Sequence, residues 1–154
     1  MGIAMTLKQY LEDHGVDYDL TTHEETGCSS DTAEAGRVPG DQLAKGVLIK
    51  RAKDYLLAVV PASRHVALPA LGEWLRQPVC MATEKEIGAL FSDCDRGAIP
   101  PVGAAYGVKA VVDDRLEGQP DIYFEAGDHR TLVHLTGEQF HRLMEKVPHE
   151  RIGD

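Results

Sequence analysis

The sequence lacks the features of a membrane protein, a secreted protein and a disulfide-stabilised protein. Its 154 residues contain no run close to the ~20 apolar residues that a membrane span needs, so no membrane partner is expected. The N-terminus becomes acidic too soon after a short apolar stretch to be a signal peptide. Three cysteines, an odd number without paired spacing, indicate reduced thiols and a cytoplasmic location.

Positive charge is also scarce. Sixteen lysines and arginines stand against 25 acidic residues, which gives a net charge of −9. This balance argues against broad, non-specific coating of nucleic acid, and no DNA partner is expected. A local contact remains open because Lys45, Lys50, Arg51 and Lys53 lie within nine positions. Lysines that protect a hairpin edge would give the same pattern.

Familiar catalytic motifs are missing. The chain has no G-x-S-x-G, no G-x-x-x-x-G-K-[ST] and no H-E-x-x-H segment. Cys94 is flanked by two aspartates, whose negative charges would raise the pKa of its thiol and weaken it as a nucleophile. A metal site could be imagined from three histidines, His129, His134 and His141. Their spacing places His134 on a predicted strand and His141 on a predicted helix, and no cysteine pair supports them. Neither a metal nor another cofactor is therefore expected.

Local patterns predict an irregular mixture of helices and strands. Capping boxes at Thr6, Thr83 and Thr136 each predict a helix start, and Pro69 predicts another helix with Trp74 facing inward. A short helix is expected over 30–35. Strands are expected over 16–20, 43–51, 55–61, 78–82, 107–114, 121–127 and 131–135, with the second and third forming a hairpin. This order favours one α+β domain over 1–154 with a mixed, largely antiparallel sheet and surrounding helices.

Paired prolines fix the backbone of the loop DRGAIPPVGAAYG. Pro100 and Pro101 have no N–H, so the free donors at the tip are expected from Gly97, Ala98 and Ile99. A rigid loop with unpaired amides is suited to binding a carbonyl oxygen or a developing oxyanion. A tight connection between a helix and a strand would have the same residues, and the pattern alone leaves both interpretations open.

Several segments in order carry a resemblance to a known family. AKGVLIK (44–50), YLLAVVPASRHVAL, VCMATEKEIGALF, GAIPPVG and IYFEAGDH resemble the YbaK and prolyl-tRNA-synthetase-associated editing-domain family over about residues 16–140. The most specific matches are Lys45 and the G-x-x-x-P loop that runs from Gly97 to Pro101. The resemblance implies the family fold, with a partly barrel-like sheet.

The resemblance also implies an activity. The chain is expected to be a free-standing enzyme that hydrolyses the ester of a mischarged tRNA, with a small amino acid such as cysteine or alanine and the tRNA for proline as the expected substrate. By the same resemblance, the backbone of Gly97, Ala98, Ile99 and Pro101 positions the ester carbonyl and the attacking water, and a ribose hydroxyl assists. Lys45 is expected to hold the terminal adenosine's phosphate or nearby groups. The expected partners are the aminoacyl-tRNA acceptor end and, as a further candidate, an aminoacyl-tRNA synthetase.

The substrate pocket is expected to include further residues, several of which match the family. Gly127 matches a family glycine, whereas Glu125, Asp128 and His129 differ from the better-known members and leave the amino-acid specificity open. The residues expected at the pocket are His23, Thr32, Pro100, Glu125, Gly127, Asp128 and His129. Two other functions stay open. One is a non-catalytic module that binds a tRNA end, a nucleotide or a synthetase. The other is an esterase for small acyl esters.

Overall fold

The computed structural model of the protein describes residues 2–23 and 38–154. Within these ranges the chain forms four α-helices, α1 (Met5–Asp13), α2 (Leu68–Leu75), α3 (Glu84–Leu90) and α4 (Gly137–Leu143). No helix in this part of the chain is long and apolar enough to cross a membrane. The helix expected over 30–35 lies outside the described residues.

The strands form two sheets. They are β1 (Asp19–Thr22), β2 (Ala44–Lys50), β3 (Tyr55–Pro61), β4 (Cys80–Met81), β5 (Lys109–Asp113), β6 (Asp121–Glu125), β7 (Thr131–Thr136) and β8 (His149–Glu150). One antiparallel sheet has the order β1-β7-β6, and a second sheet has the order β4-β2-β3-β5-β8. In the second sheet β2 is antiparallel to β3 and β4, whereas β5 is parallel to β3 and β8. The predicted mixed α+β fold and the hairpin are confirmed.

An isolated β-bridge joins the two sheets. Leu43, just ahead of β2, pairs in parallel with Tyr123 of β6. Lys45 lies two residues beyond Leu43, and Glu125 lies two residues beyond Tyr123. Because the two segments run in the same direction, both residues lie on the same side of the bridge. The side chains of a strand alternate between its faces, so Lys45 leaves β2 on the same face as Leu43. The bridge thus brings the start of β2 alongside β6, and each of these two segments carries a predicted site residue.

Apolar side chains cover both faces of the five-stranded sheet. One cluster lies between the two sheets and includes Leu57 of β3 and Phe124 of β6. A second cluster lies on the opposite face and includes Val60 of β3 and Leu71 of α2. Since β3 contributes to both clusters, nearly all of its residues are buried. This double burial explains why the segment YLLAVVP is apolar throughout instead of alternating.

Local capping signals predicted two helix starts correctly. The Thr83 hydroxyl accepts a hydrogen bond from the Glu86 amide, and the Glu86 carboxylate accepts one from the Thr83 amide, which completes the predicted capping box. At α4 the Thr136 hydroxyl accepts a hydrogen bond from the Gln139 amide. Each bond satisfies an amide that the first helical turn would otherwise leave unpaired.

Two helix predictions are wrong. The capping box at Thr6 does not form, because α1 begins earlier with Ala4 as an N-cap that makes no side-chain bond. The Thr6 amide instead donates to the carboxylate of Asp93 at 2.9 Å. Trp74 does not face the core, since it is 39% exposed while Leu71 of the same helix is fully buried. Its indole lines an open cleft at the end of the five-stranded sheet.

Candidate active site

The proline loop is packed against the strand that carries Lys45. Gly97 has a φ of 81°, a left-handed conformation that favours glycine, and the two prolines that follow are buried. A Cβ placed on Gly46 would lie 3.2 Å from the Cα of Pro101 and 3.1 Å from a methyl group of Leu57. The glycine next to Lys45 therefore lets the loop backbone lie directly on β2.

The loop offers fewer free amides than the sequence predicted. The Ala98 amide donates to the carbonyl oxygen of Asp95 at 3.1 Å, so the expectation of a bare amide at Ala98 is wrong. This bond closes a tight turn, and Ala98 is fully buried. The amides of Gly97 and Ile99 form no hydrogen bond with the described part of the chain. Two donors, not three, are thus available on the loop.

The turn between β6 and β7 holds the start of the loop. The Asp95 amide donates to the carbonyl oxygen of Gly127 at 2.7 Å. The Nε2 atom of His129 is hydrogen-bonded to the carbonyl oxygen of Arg96, the residue just before Gly97. A carbonyl oxygen only accepts, so Nε2 carries the proton and donates it. Two bonds from one turn therefore fix the backbone on which the Gly97 amide depends.

Gly127 is required for this close approach. Its φ is 119°, and a Cβ on it would lie 2.8 Å from the Cβ of Ala4 and 3.5 Å from the sulfur of Cys94. The amide of Ala4 also donates to the carbonyl oxygen of Ala126 at 2.8 Å. The start of α1 is thus packed on the turn, which leaves no room for a larger residue at this position.

A buried carboxylate lies beside the two predicted histidines. Glu125 is 2% exposed. Its oxygens lie 3.9 Å from Nε2 of His23 and 3.8 Å from Nδ1 of His129. The His23 amide donates to the carbonyl oxygen of Arg130 at 2.8 Å, which ties the segment after β1 to the same turn. The fold therefore brings His23, Glu125, Gly127 and His129 together, next to the loop.

Asp128 has a structural role in that turn. Its carboxylate accepts hydrogen bonds from the amides of Arg130 and Thr131, at 3.0 and 2.7 Å, and from the Thr131 hydroxyl at 3.2 Å. Only 7% of the residue is exposed. Contact between Asp128 and a substrate stays a prediction, as do the roles of the other site residues. Thr32 lies outside the described residues.

Cys94 has the environment of an unreactive thiol. Burial, assisted by the charge of Asp93, raises its pKa to about 12. It lies within hydrogen-bond reach of the Tyr106 hydroxyl and the Asp93 carboxylate. The Asp93 carboxylate accepts a hydrogen bond from the Tyr106 hydroxyl at 2.8 Å and another from the Thr6 amide of α1. Asp93 therefore links α1 to the loop region. The thiolate needed for nucleophilic attack is strongly disfavoured.

His134 and His141 lie on other elements of the fold and do not join His129. His134 lies between Asp19 and Asp121, and His141 lies near Glu117. Within residues 2–23 and 38–154, no three histidine, cysteine or acidic side chains are arranged to hold a metal ion.

Sequence reasoning missed the contacts that hold the loop. The bonds at Asp95 and Arg96 use backbone atoms, which have no sequence signature. A cavity of about 480 Å³ borders the same segment and is lined in part by Cys94, Asp95, Arg96 and Ile99. Of the predicted site residues only Ile99 lines this cavity, and Gly97 and Lys45 do not.

Solved structures with the same fold define the structural class. The chain superposes on the hypothetical protein APE2540 with a TM-score of 0.85 and 18% identity, covering 97% of this chain and 99% of that one. It superposes on a protein proposed to be a trans-editing enzyme for prolyl-tRNA synthetase with a TM-score of 0.83 and 21% identity, covering 98% and 96%. A protein from Marinobacter aquaeolei VT8, proposed to act in signal transduction, matches over 96% of this chain but 30% of its own length, with 17% identity and a TM-score of 0.77. These likenesses show the fold.

The family follows from the sequence itself. The family model for the aminoacyl-tRNA editing domain matches residues 23–143. The chain therefore belongs to the aminoacyl-tRNA editing domain family. No curated protein sequence matches it significantly.

Proposed function

We propose that this protein is an aminoacyl-tRNA deacylase that acts in trans and hydrolyses the ester of a mischarged tRNA. The expected substrate carries a small amino acid such as cysteine or alanine, and the tRNA for proline is the first candidate. Membership of the editing-domain family supports the reaction class, and the similarity to a proposed trans-editing enzyme supports action on a separate tRNA.

One structural observation carries the proposal. The amides of Gly97 and Ile99 make no bond within the described chain, although the backbone around them is held at both ends. Gly127 and His129 hold the residues before Gly97, and the contact with Gly46 holds Pro101. Donors fixed in this way stabilise developing negative charge without reorganising during the reaction.

The proposed reaction needs no protein nucleophile. A water oxygen bonds to the ester carbonyl carbon, and the carbonyl oxygen takes up negative charge opposite the Gly97 and Ile99 amides. The adjacent ribose hydroxyl assists the attack. The bond between the carbonyl carbon and the ester oxygen of the ribose then breaks. This ester oxygen leaves with a proton that originates from the water. The free amino acid and uncharged tRNA are the products. Positioning supplies most of the acceleration because the ester is already reactive.

Lys45 has the proposed role of holding the acceptor end. It follows the bridge between Leu43 and Tyr123, and the next residue along, Gly46, contacts the loop. An ammonium group on this segment of β2 attracts a phosphate of the terminal nucleotide as a point charge. Few phosphate contacts are needed for binding at one end of a tRNA, which is compatible with the net charge of −9.

A deacylation screen tests the proposal. Release of the amino acid is measured from alanine-, cysteine- and serine-charged tRNAs, first with the wild type and then with Lys45→Ala. The matched control is Lys53→Ala, which removes an exposed lysine from the turn between β2 and β3. At least one mischarged tRNA should be hydrolysed, and only Lys45→Ala should slow the reaction strongly.

Two outcomes would contradict the proposal. Tight binding of uncharged tRNA without hydrolysis of any mischarged tRNA would indicate a binding module. Hydrolysis of a free aminoacyl adenosine as fast as the full tRNA would indicate a small-molecule esterase.

A further inference from the structure

A second cavity lies at the other end of the five-stranded sheet. It has a volume of about 730 Å³ and is formed where α1 and α2 end, where β5 begins, and where the chain leaves α4. Its lining includes Arg51, which directly follows β2, whereas Lys45 lies at the start of that strand. Six steps of about 3.3 Å along the extended chain separate the two, or about 20 Å. The cleft also borders Val102, which follows Pro101 of the proline loop, but Lys45, Gly97, Glu125 and His129 do not line it.

Flat rings and apolar side chains form part of the cleft wall. Trp74, the single tryptophan of the chain, lines it and is 39% exposed. Tyr10 and His14 also line it and stack on each other with ring centroids 4.0 Å apart. Leu56 and Val147 contribute apolar surface. A partly exposed indole in an apolar cleft is a suitable stacking surface for a planar aromatic group.

Cationic side chains surround this surface. Lys109, Arg142 and Lys146 line the cleft and are exposed, and none of them forms an ion pair with a residue that the structure describes. Arg51 is already paired with Asp54, at 2.6 and 2.7 Å. Glu145 also lines the cleft, so three unpaired cations stand against one carboxylate. The local excess of positive charge still favours an anion in a chain of net charge −9.

We propose that this cleft binds a nucleotide unit, with the aromatic base stacked on Trp74 and the phosphate held by Lys109, Arg142 and Lys146. The charges favour an anion, and the exposed ring favours a planar group over an acyl chain. The volume lies within the range of small-ligand sites. The unit comes either from a free nucleotide or from an RNA chain, which share this chemistry. The inference goes beyond the proposed hydrolysis and does not depend on it.

Tryptophan fluorescence reports directly on this cleft because the chain has one tryptophan. The probes are adenosine 5′-monophosphate, adenosine, and an uncharged RNA hairpin that copies a tRNA acceptor stem. At least one of the two phosphate-bearing probes should change the emission saturably, and adenosine should bind at least tenfold more weakly than that probe. Saturation by the monophosphate indicates a free-nucleotide site, whereas saturation by the hairpin alone indicates an RNA contact. Both results support the proposal.

Charge variants test the assignment of the phosphate contacts. Each of the variants Arg142→Ala and Lys146→Ala should weaken binding of the titrated probe several-fold. The double variant should weaken it at least tenfold. Lys53→Ala, which removes an exposed lysine outside the cleft, should leave the titration unchanged. No saturable signal from any probe, or equal binding by the double variant, would overturn the proposal. Because no ester is present, this outcome is separate from a failure of the deacylase assay.

Discussion

Replacing His129 with alanine removes the side chain that holds the carbonyl oxygen of Arg96. A hydrogen bond of this kind contributes about 0.5–1.5 kcal/mol. Since 1.4 kcal/mol corresponds to a factor of ten, freeing the loop in this way should lower kcat about two- to twelvefold. The bond from the Asp95 amide to Gly127 and the packing of Pro101 on Gly46 remain in the variant, which limits the loss.

The assay separates a positioning role from direct contact with the reacting ester. In steady-state deacylation, a positioning role predicts a lower kcat with nearly unchanged KM, whereas loss of a substrate contact predicted for His129 would raise KM. His129→Gln should recover most of the rate, since its side-chain amide is still able to donate to the carbonyl oxygen of Arg96. Removal of a donor that contacts the developing oxyanion would instead cost about 10²–10³ in rate. A loss of that size, or a glutamine variant no better than alanine, would refute the positioning role.

Three further predictions concern other buried or paired groups. Burial raises the pKa of Cys94 to about 12. Iodoacetamide at neutral pH should therefore modify the exposed Cys80 but not Cys94, which peptide mass spectrometry would show. Cys94→Ala should retain activity. The Thr83 amide and neighbouring side-chain donors lower the pKa of Glu86 to about 2. Its contribution to stability is therefore complete above about pH 4.5 and is lost towards pH 2, so the Tm of wild type should fall more steeply over that window than the Tm of Glu86→Gln. Asp113 is fully buried, and its carboxylate accepts hydrogen bonds from two backbone amides near the C-terminus, at 3.1 and 2.6 Å. Asp113→Ala should lower the free energy of unfolding by about 3 kcal/mol in urea titrations, and an unchanged midpoint would contradict this account.

Local signals in the sequence predicted most of the fold. The hairpin of β2 and β3 was predictable because its branched residues and the turn between them act over short distances. Thr83 and Glu86 predicted a helix start for the same reason, since the capping box closes within four residues. The start of α1 was not predictable, because the Thr6 amide is satisfied by Asp93, 87 positions away.

The candidate site was predictable only where it follows a motif. Lys45 and the G-x-x-x-P loop were found by resemblance to an editing-domain family. The engagement of the Ala98 amide by the Asp95 carbonyl was not, because backbone carbonyls are present at every position. The contact between His129 and Arg96 spans 33 positions and depends on how β6 and β7 place their turn. The exposure of Trp74 likewise depends on the cleft, which several distant segments form together.

The proposed ester hydrolysis depends on the backbone of the proline loop and on no side-chain nucleophile. Gly97 and Gly118 have φ values of 81° and 82°, and a Cβ on Gly118 would meet nothing within 4 Å. Alanine at either position should cost about 1–2 kcal/mol of backbone strain. Single-turnover deacylation of alanine-charged proline tRNA should become about a hundredfold slower with Gly97→Ala, while Gly118→Ala should lose similar stability and keep its rate. Equal rates in the two folded variants would contradict the claim.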